Sequence, residues 1–196
     1  MTKHLQVLFI ILIFSISIHP WAKADGISDF EIEGMSVGDS ALNFFSKKEL
    51  EEYKKDGFIY EDKMFYSTGP ISLNNFNVYD AIELHIKGQD SEYIIHSITG
   101  KIIYKDNYQE CVLELEKILP DLKNLFSDAD VIDAGEEIWT NRNNQKIKTK
   151  SYYLQLFSGD EIALECYDQP KERINNPDSL KISIDSKEFV EFLHTR

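Results

Sequence analysis

Segments in which apolar and polar residues alternate make up much of this chain, and they constrain its fold more than any other feature. Successive side chains of a strand point to opposite faces, so alternation predicts strands with one buried face. Four such segments form two pairs joined by short turns, which predicts antiparallel hairpins. They are Val78–Lys87 with Glu92–Tyr104, and Ile147–Phe157 with Glu161–Tyr167.

One amphipathic helix is predicted between the two hairpins. Apolar residues recur three or four positions apart from Asn107 to Phe126, as on a helix with one buried face. Pro120 lies within this stripe, and because a proline inside a helix costs about 3 kcal/mol, we expect a kink or two consecutive helices there. Short helices are predicted after Ser40, Ser46 and Ser186, since serine can cap a first turn.

The order of these elements predicts an α+β fold, in which an antiparallel sheet of hairpins has its helices packed on one side. Two helices and about three strands precede the long helix, and about four strands and a terminal helix follow it. This order suggests two degenerate helix-plus-hairpin repeats, residues 29–105 and 106–196, although no residues match at a fixed period. No low-complexity linker divides the chain, so residues 25–196 are predicted to form a single domain.

Residues 1–24 have the composition of a secretory signal peptide. Lys3 precedes an apolar run from Leu5 to Ile18, and an Ala-Lys-Ala triplet ends the segment. We expect cleavage after Ala24 and a periplasmic or secreted mature protein. A membrane anchor is the alternative, but the apolar run is shorter than the roughly 20 residues of a spanning helix and is followed by Pro20. We therefore expect no stable membrane insertion after cleavage.

The chain is strongly acidic, with 34 Asp and Glu residues against 21 Lys and Arg residues. Removal of the leader takes away two lysines and no acid, which moves the formal net charge from −13 to −15. Nucleic acid binding depends on Lys and Arg side chains that neutralise phosphates, so the composition argues against a nucleic acid partner. The charge attracts cations or basic partners, or it serves solubility alone.

Both cysteines lie in the predicted mature chain. Cys111 falls on the apolar stripe of the long helix, and Cys166 falls on the side of the second hairpin that carries Phe157, Ile162 and Leu164. An even number of cysteines after a signal peptide is most simply one disulfide, so we predict a Cys111–Cys166 bridge. Two free buried thiols are the alternative.

The stretch from Asp29 to Ser40 carries a resemblance to known proteins. Its pattern Asp-Phe-x-Ile-x-Gly-Met-Ser-x-Gly-Asp-Ser, followed by Phe44, Phe45 and an acidic helix, resembles the opening of a set of small exported bacterial proteins without an assigned function. The Gly-Met-Ser triplet before short helices and an antiparallel sheet is also similar, more loosely, to repeats of β-lactamase inhibitor proteins and of a small outer membrane assembly lipoprotein. Both of those bind proteins, so the resemblance implies binding and supplies no catalytic residue.

A Gly-Asp-Ser-Ala-Leu sequence from Gly38 to Leu42 invites comparison with the GDSL hydrolases, whose serine attacks an ester carbonyl. The flanking residues do not fit those enzymes, because the preceding segment is acidic and no oxyanion segment follows. Glu191 and His194 have ExxH spacing where the enzymes have DxxH. We interpret Asp39 or Ser40 as a helix cap.

Two sets of side chains have ligand types that suit a metal. If Lys87 pairs with Glu92, then Glu83 lies opposite His96, with His85 on the same face of the sheet. Ordinary surface or structural histidines are the alternative. Five acidic residues also cluster after the long helix, but they lack the glycine and glutamate positions of a calcium loop, and we interpret them as a solvated acidic loop. They are Asp128, Asp130, Asp133, Glu136 and Glu137.

Four aromatic residues of the second hairpin are candidates for a sugar- or peptide-binding platform, although hairpin packing uses the same residues. They are Tyr152, Tyr153, Phe157 and Tyr167.

No complete catalytic, cofactor or metal constellation emerges, so we assign no catalytic, cofactor-binding or metal-binding residue and no cofactor. The sequence favours an exported, non-catalytic binding or protein-interaction module of the cell envelope, whose partner is a protein or small ligand that the pattern does not name. The alternative is an envelope hydrolase with a site dispersed in sequence. A deep pocket holding a perturbed carboxylate or imidazole favours the hydrolase, whereas an open sheet edge or an apolar patch favours the binding module.

Overall fold

A computed structural model describes residues 27–141, 144–170 and 177–195, so the predicted leader lies outside the described residues. The described residues include seven strands: β1 (Phe65–Ser67), β2 (Ala81–Lys87), β3 (Ile95–Lys105), β4 (Asp130–Thr140), β5 (Lys146–Gln155), β6 (Glu161–Asp168) and β7 (Asp178–Asp185). The described α-helices are α1 (Lys47–Tyr53), α2 (Tyr108–Leu125) and α3 (Lys187–His194). The predicted α+β class is confirmed.

All seven strands belong to one antiparallel sheet with the order β1-β2-β3-β7-β6-β5-β4. Strands β3 and β7 lie at its centre, where Ile98 pairs with Ile184. This pairing joins residues 29–105 to residues 106–196, so the sheet continues across the boundary between the two predicted repeats. The repeat itself stays a prediction.

One face of the sheet, which we call the helix face, carries the main hydrophobic core. Alternate side chains of β2, β3, β6 and β7 point toward it, as the alternating pattern predicts. Helix α2 packs across β3, β6 and β7 on this face, and Leu50 of α1 joins the same core. The inner residues of this core include Leu84, Ile98, Leu115, Ile118, Leu164 and Ile182. Each such burial contributes roughly 1.5–3 kcal/mol.

The opposite face, which we call the open face, is covered by α3 at one end of the sheet. Phe65 of β1 packs there with Phe189 and Phe192 of α3, and Tyr60 adds a partly buried ring. The last helix thus has its own small aromatic cluster on the face opposite α2, so the expectation that the helices pack on one side of the sheet is wrong for α3.

Helix caps form at the predicted serines. Ser46 accepts from the Glu49 N–H, and the Glu49 carboxylate accepts from the Ser46 N–H, which completes a capping box. Ser186 accepts from the Phe189 N–H at the start of α3. Helix α2 runs without interruption through Pro120, so the expectation of two consecutive helices is wrong. Pro120 is exposed, and buried side chains on both sides of it hold the helix against the sheet.

The two ends of the sheet are built differently. Strand β1 has only three residues, and Phe58–Tyr60 lies along its outer side, where the Ser67 N–H donates to the Phe58 carbonyl at 2.8 Å. Strand β4 has eleven residues and is last in the order of strands. None of the described helices has the length and apolar character needed to cross a membrane.

Candidate interaction surface

Strand β4 pairs with β5 along its whole length, from Asp130 opposite Gln155 to Thr140 opposite Lys146. Within residues 27–141, 144–170 and 177–195, nothing pairs with its other side. We call residues Asp130–Thr140, with the unpaired side of their backbone, the β4 edge. Long uncovered edges are uncommon in proteins because they are templates for further strand pairing.

The direction of the backbone groups on the β4 edge follows from its hairpin with β5. The Asn141 N–H donates to the Gln145 carbonyl at 3.0 Å where the hairpin closes. Hydrogen bonding alternates along an antiparallel pair, so Glu137 and Trp139 direct their N–H groups toward β5. Ile138 and Thr140 therefore direct theirs outward, away from the sheet.

Large apolar side chains remain exposed along the β4 edge. Ile138 is 70% exposed and Trp139 is 43% exposed, and Val131 and Ile132 are exposed as well. A bulge between Asp133 and Gly135 separates the two apolar pairs, and Gly135 adopts a positive φ of 71° there. A bulge of this kind twists the strand locally and is one of the devices that limit unwanted pairing.

The β4 edge carries four acidic residues and no basic one: Asp130, Asp133, Glu136 and Glu137. The Lys148 ammonium lies 2.8 Å from Glu136, and this hydrogen bond is the main cause of the lowered Glu136 pKa. Asp133 accepts from the Gly135 N–H of its own bulge. Glu137 makes no hydrogen bond or ion pair with the described residues. The interpretation of these acids as a solvated loop is wrong for all but Asp128, because they lie in a strand.

The Gly38–Leu42 sequence forms a turn and a cap rather than a nucleophile site. The Ser40 hydroxyl accepts from the Leu42 N–H and donates to the Glu92 carbonyl. The Asp39 carboxylate accepts from the Ser36 N–H at 2.9 Å. Both polar side chains therefore serve the local backbone, in agreement with the predicted cap.

The side chains of the hypothesised transition-metal group do not meet. Glu83 lies opposite Thr99, so the predicted pairing of Glu83 with His96 is wrong. The loop between β2 and β3 is longer than expected, because Ile86 pairs with Ile95, whose N–H also donates to Asp39. In the described part of the chain, no three His, Cys, Asp or Glu side chains are placed to hold a metal ion.

Both histidines of that group belong to the aromatic cluster beneath α3. The ring centroid of His85 lies 4.5 Å from that of Phe189, and His96 lies 5.3 Å from Phe65. Burial lowers the pKa of His85 to about 4, so its ring is neutral at physiological pH. The neutral His85 imidazole therefore packs against the rings of Tyr60 and Phe189 as part of this cluster.

The four candidate aromatic residues do not form one platform. Tyr152 points to the helix face, where its hydroxyl lies 3.1 Å from Glu116, whereas Tyr153 and Tyr167 point to the open face and both donate to Glu165. Phe157 is fully exposed at the hairpin turn, so its predicted place beside Ile162 and Leu164 in the core is wrong. The strand ends at Gln155, two residues earlier than the alternation suggests.

The sequence did not predict a polar network that lies on the open face. Glu165 of β6 lies opposite Lys181 of β7, and Lys181 lies opposite Lys101 of β3, the neighbouring strand on the other side. The Lys181 ammonium is 4.8 Å from the ring centroid of Tyr167. Burial and the Lys181 charge lower the pKa of Lys101. These residues come from three strands, β3, β6 and β7, so only the strand order reveals their proximity.

A cavity of about 280 Å³ lies beside the first turn of α2. Its lining includes Asp106, Asp168, Asp178 and Lys148. Burial raises the pKa of Asp178, and the negative charges of Asp168 and Asp106 raise it further. The Gln169 N–H, which donates to the Asp178 carboxylate, lowers the pKa and so opposes this rise. A carboxyl group with a raised pKa in a cavity is what a hydrolase site requires.

The two cysteines meet between α2 and β6. Cys111 and Cys166 have their sulfur atoms at disulfide-bonding distance and their Cα atoms 5.9 Å apart, and both are fully buried. The predicted pairing is therefore the one that the geometry allows.

Comparison with known proteins adds no assignment. No protein-family model matches the chain. No curated protein matches it either. Fold and surface together define an antiparallel α+β fold in which the described residues leave the outer side of β4 unpaired.

Proposed function

We propose that this protein is an exported, non-catalytic module of the cell envelope that binds another protein through its β4 edge. The proposal depends on one observation: an eleven-residue edge strand with outward backbone groups and with Ile138 and Trp139 exposed. Proteins normally shorten or cover such an edge, as this chain does at β1. An edge that is left open and apolar is typical of a binding surface.

Export is part of the proposal. The leader of residues 1–24, cleavage after Ala24 and a disulfide between Cys111 and Cys166 are consistent with one another, because disulfides persist in oxidising compartments. We place the mature protein in the periplasm or outside the cell. Its acidity is compatible with a protein partner and disfavours nucleic acid.

Site-specific photo-crosslinking in cells that produce the protein tests this proposal. A benzophenone amino acid replaces Ile138 in one variant and Met64, exposed beside β1 at the other end of the sheet, in the control. We expect a covalent adduct with a partner protein from position 138 and none from position 64. Absence of an adduct at position 138, or equal adducts at both positions, would overturn the proposal.

An envelope hydrolase is the second candidate function, and the cavity beside α2 is the observation that favours it. Asp178 has the raised pKa that a general acid needs, and Asp168 and Lys148 line the same space. Turnover of an ester, glycan or peptide substrate by the mature protein, abolished in D178N while the melting temperature is preserved, would establish this function. Equal turnover by D178N would reject the cavity as its site.

A further inference from the structure

We propose that the segment bound at the β4 edge is an extended, basic stretch of the partner, which adds to the sheet as an eighth strand. This inference rests on the proposed function, since it names the partner chemistry for the same surface. Strand addition uses main-chain hydrogen bonds for affinity and alternate side chains for specificity.

The backbone of the β4 edge is arranged for such an addition. Ile138 and Thr140 direct their N–H groups away from β5, in register with the Asn141–Gln145 hydrogen bond that closes the hairpin. An incoming strand of similar length could pair along both sides of the bulge at Gly135. The exposed apolar side chains then become cross-strand contacts, and each such pair contributes roughly 0.2–1 kcal/mol.

The negative charge of the β4 edge favours the binding of a basic strand. On the open face, Asp130 and Glu137 alternate with Ile132 and Trp139 along the edge. Glu137 makes no ion pair with the described residues, so its carboxylate is available to a Lys or Arg directly opposite. The whole chain has a net charge of −13, which attracts basic segments from a distance.

A second copy of this chain fits the β4 edge less well. The β4 edge carries four acidic residues and no basic one, so two such edges side by side bring like charges together. Like charges across a strand pair destabilise it, and the two copies repel through their net charge as well. A basic strand can make the same apolar contacts, and its Lys or Arg side chains attract the carboxylates that a second copy would repel.

Phage display with random peptides about a dozen residues long, the length of β4, tests the proposal. The I138P variant loses one outward-directed N–H group and keeps every hydrogen bond to β5. Selections are run in parallel on the wild type and on I138P. We expect peptides rich in Lys or Arg and in β-branched residues to be enriched on the wild type and lost on I138P. T140P provides a second edge-blocked variant, and circular dichroism verifies that each variant folds.

A matched pair of charge-reversal variants tests whether binding depends on the negative charge of Glu137. E137K and E61K change the net charge equally, but Glu61 is exposed near β1 at the far end of the sheet. We expect E137K to weaken binding of a selected basic peptide by about tenfold, because the reversal replaces a cross-strand attraction by a repulsion of similar size, and E61K to leave it nearly unchanged. Equal weakening of binding by the two variants would show that net charge alone causes the effect, and this result would overturn the proposal.

Amide hydrogen exchange reports strand addition directly. On binding of a selected peptide, the Ile138 and Thr140 amides are expected to exchange at least about tenfold more slowly, whereas Glu137 and Trp139 already donate to β5 and change little.

The remaining outcomes are also decisive. Unchanged exchange at Ile138 and Thr140, enrichment of acidic or neutral peptides, no enrichment over I138P, or a dimer of the wild type at neutral pH would each overturn the proposal. A crosslinked partner at position 138 without basic peptide selection would leave the proposed function standing and remove only this inference.

Discussion

Among individual residues, Asp185 has the environment least suited to its charge. It ends β7 on the open face, opposite Ser97 of β3 and Glu161 of β6. Burial raises its pKa to about 7, the hydrogen bond from Ser97 opposes this rise, and the charges of Glu161 and Glu165 add to it. Its carboxyl group therefore keeps a proton in the folded protein at a pH where the unfolded chain has lost it.

We expect D185N to change the pH dependence of stability. The folded wild type binds more protons than the unfolded chain between about pH 4 and 7, so the contribution of Asp185 to stability is lost as the pH rises through that interval. Asparagine does not titrate, so D185N should gain up to about 4 kcal/mol relative to the wild type between pH 4 and 8. Guanidinium unfolding at several pH values measures this difference.

The control for this prediction is E61Q, which removes an exposed carboxylate. Its stability should follow that of the wild type at every pH. Parallel curves for D185N and the wild type would show that Asp185 is ionised in the folded protein.

Single residues also show where sequence reasoning stops. The alternation correctly placed Ile162, Leu164 and Cys166 on one side of β6, but it could not show that β5 ends before Phe157. Nor could it show that Glu83 lies opposite Thr99, because a bulge changes register without changing composition.

At the scale of elements, the cysteine pair joins α2 to β6 across the main core. The two residues are separated by 55 positions, so the bond restricts the unfolded chain strongly. In the loop-entropy model a closed loop of this length contributes about 4 kcal/mol. We expect the C111A/C166A variant to lose about this much stability in guanidinium unfolding.

Reduction supplies the matched control for the cysteine variant. A reducing agent should lower the unfolding midpoint of the wild type toward that of C111A/C166A and leave the variant unchanged. Equal midpoints for the oxidised wild type and the variant would contradict the prediction.

Elements were more predictable than their arrangement. The capping box at Ser46 and the stripe of α2 depend on neighbours in sequence, so they could be recognised before the fold was known. The continuity of α2 through Pro120 depends on packing against the sheet, which local propensity does not contain.

At the scale of the molecule, net charge and the β4 edge together should control self-association. The isoelectric point is about 4.8, so repulsion between copies disappears in mildly acidic solution. We expect the wild type to sediment as a monomer at pH 7 and as a dimer near pH 5, with I138P monomeric at both. I138T keeps the outward N–H and should still dimerise near pH 5; dimerisation of I138P to the same extent would place the contact elsewhere.

The candidate surface itself could be predicted only in part. The four acidic residues of β4 were visible in the sequence, but they were interpreted as part of a loop. The place of β4 at the end of the sheet depends on β7 inserting between β3 and β6, a long-range pairing that no local pattern encodes. The exposure of Trp139 follows from that position alone.

The unequal ends of the sheet have a consequence for how large an assembly can grow. Within the described residues, Phe58–Tyr60 lies along β1 at one end of the sheet, and β4 at the other end has its outer side unpaired. Two copies that paired through their β4 strands would use both of these edges, so pairing of this kind would stop at two molecules instead of extending into a fibril.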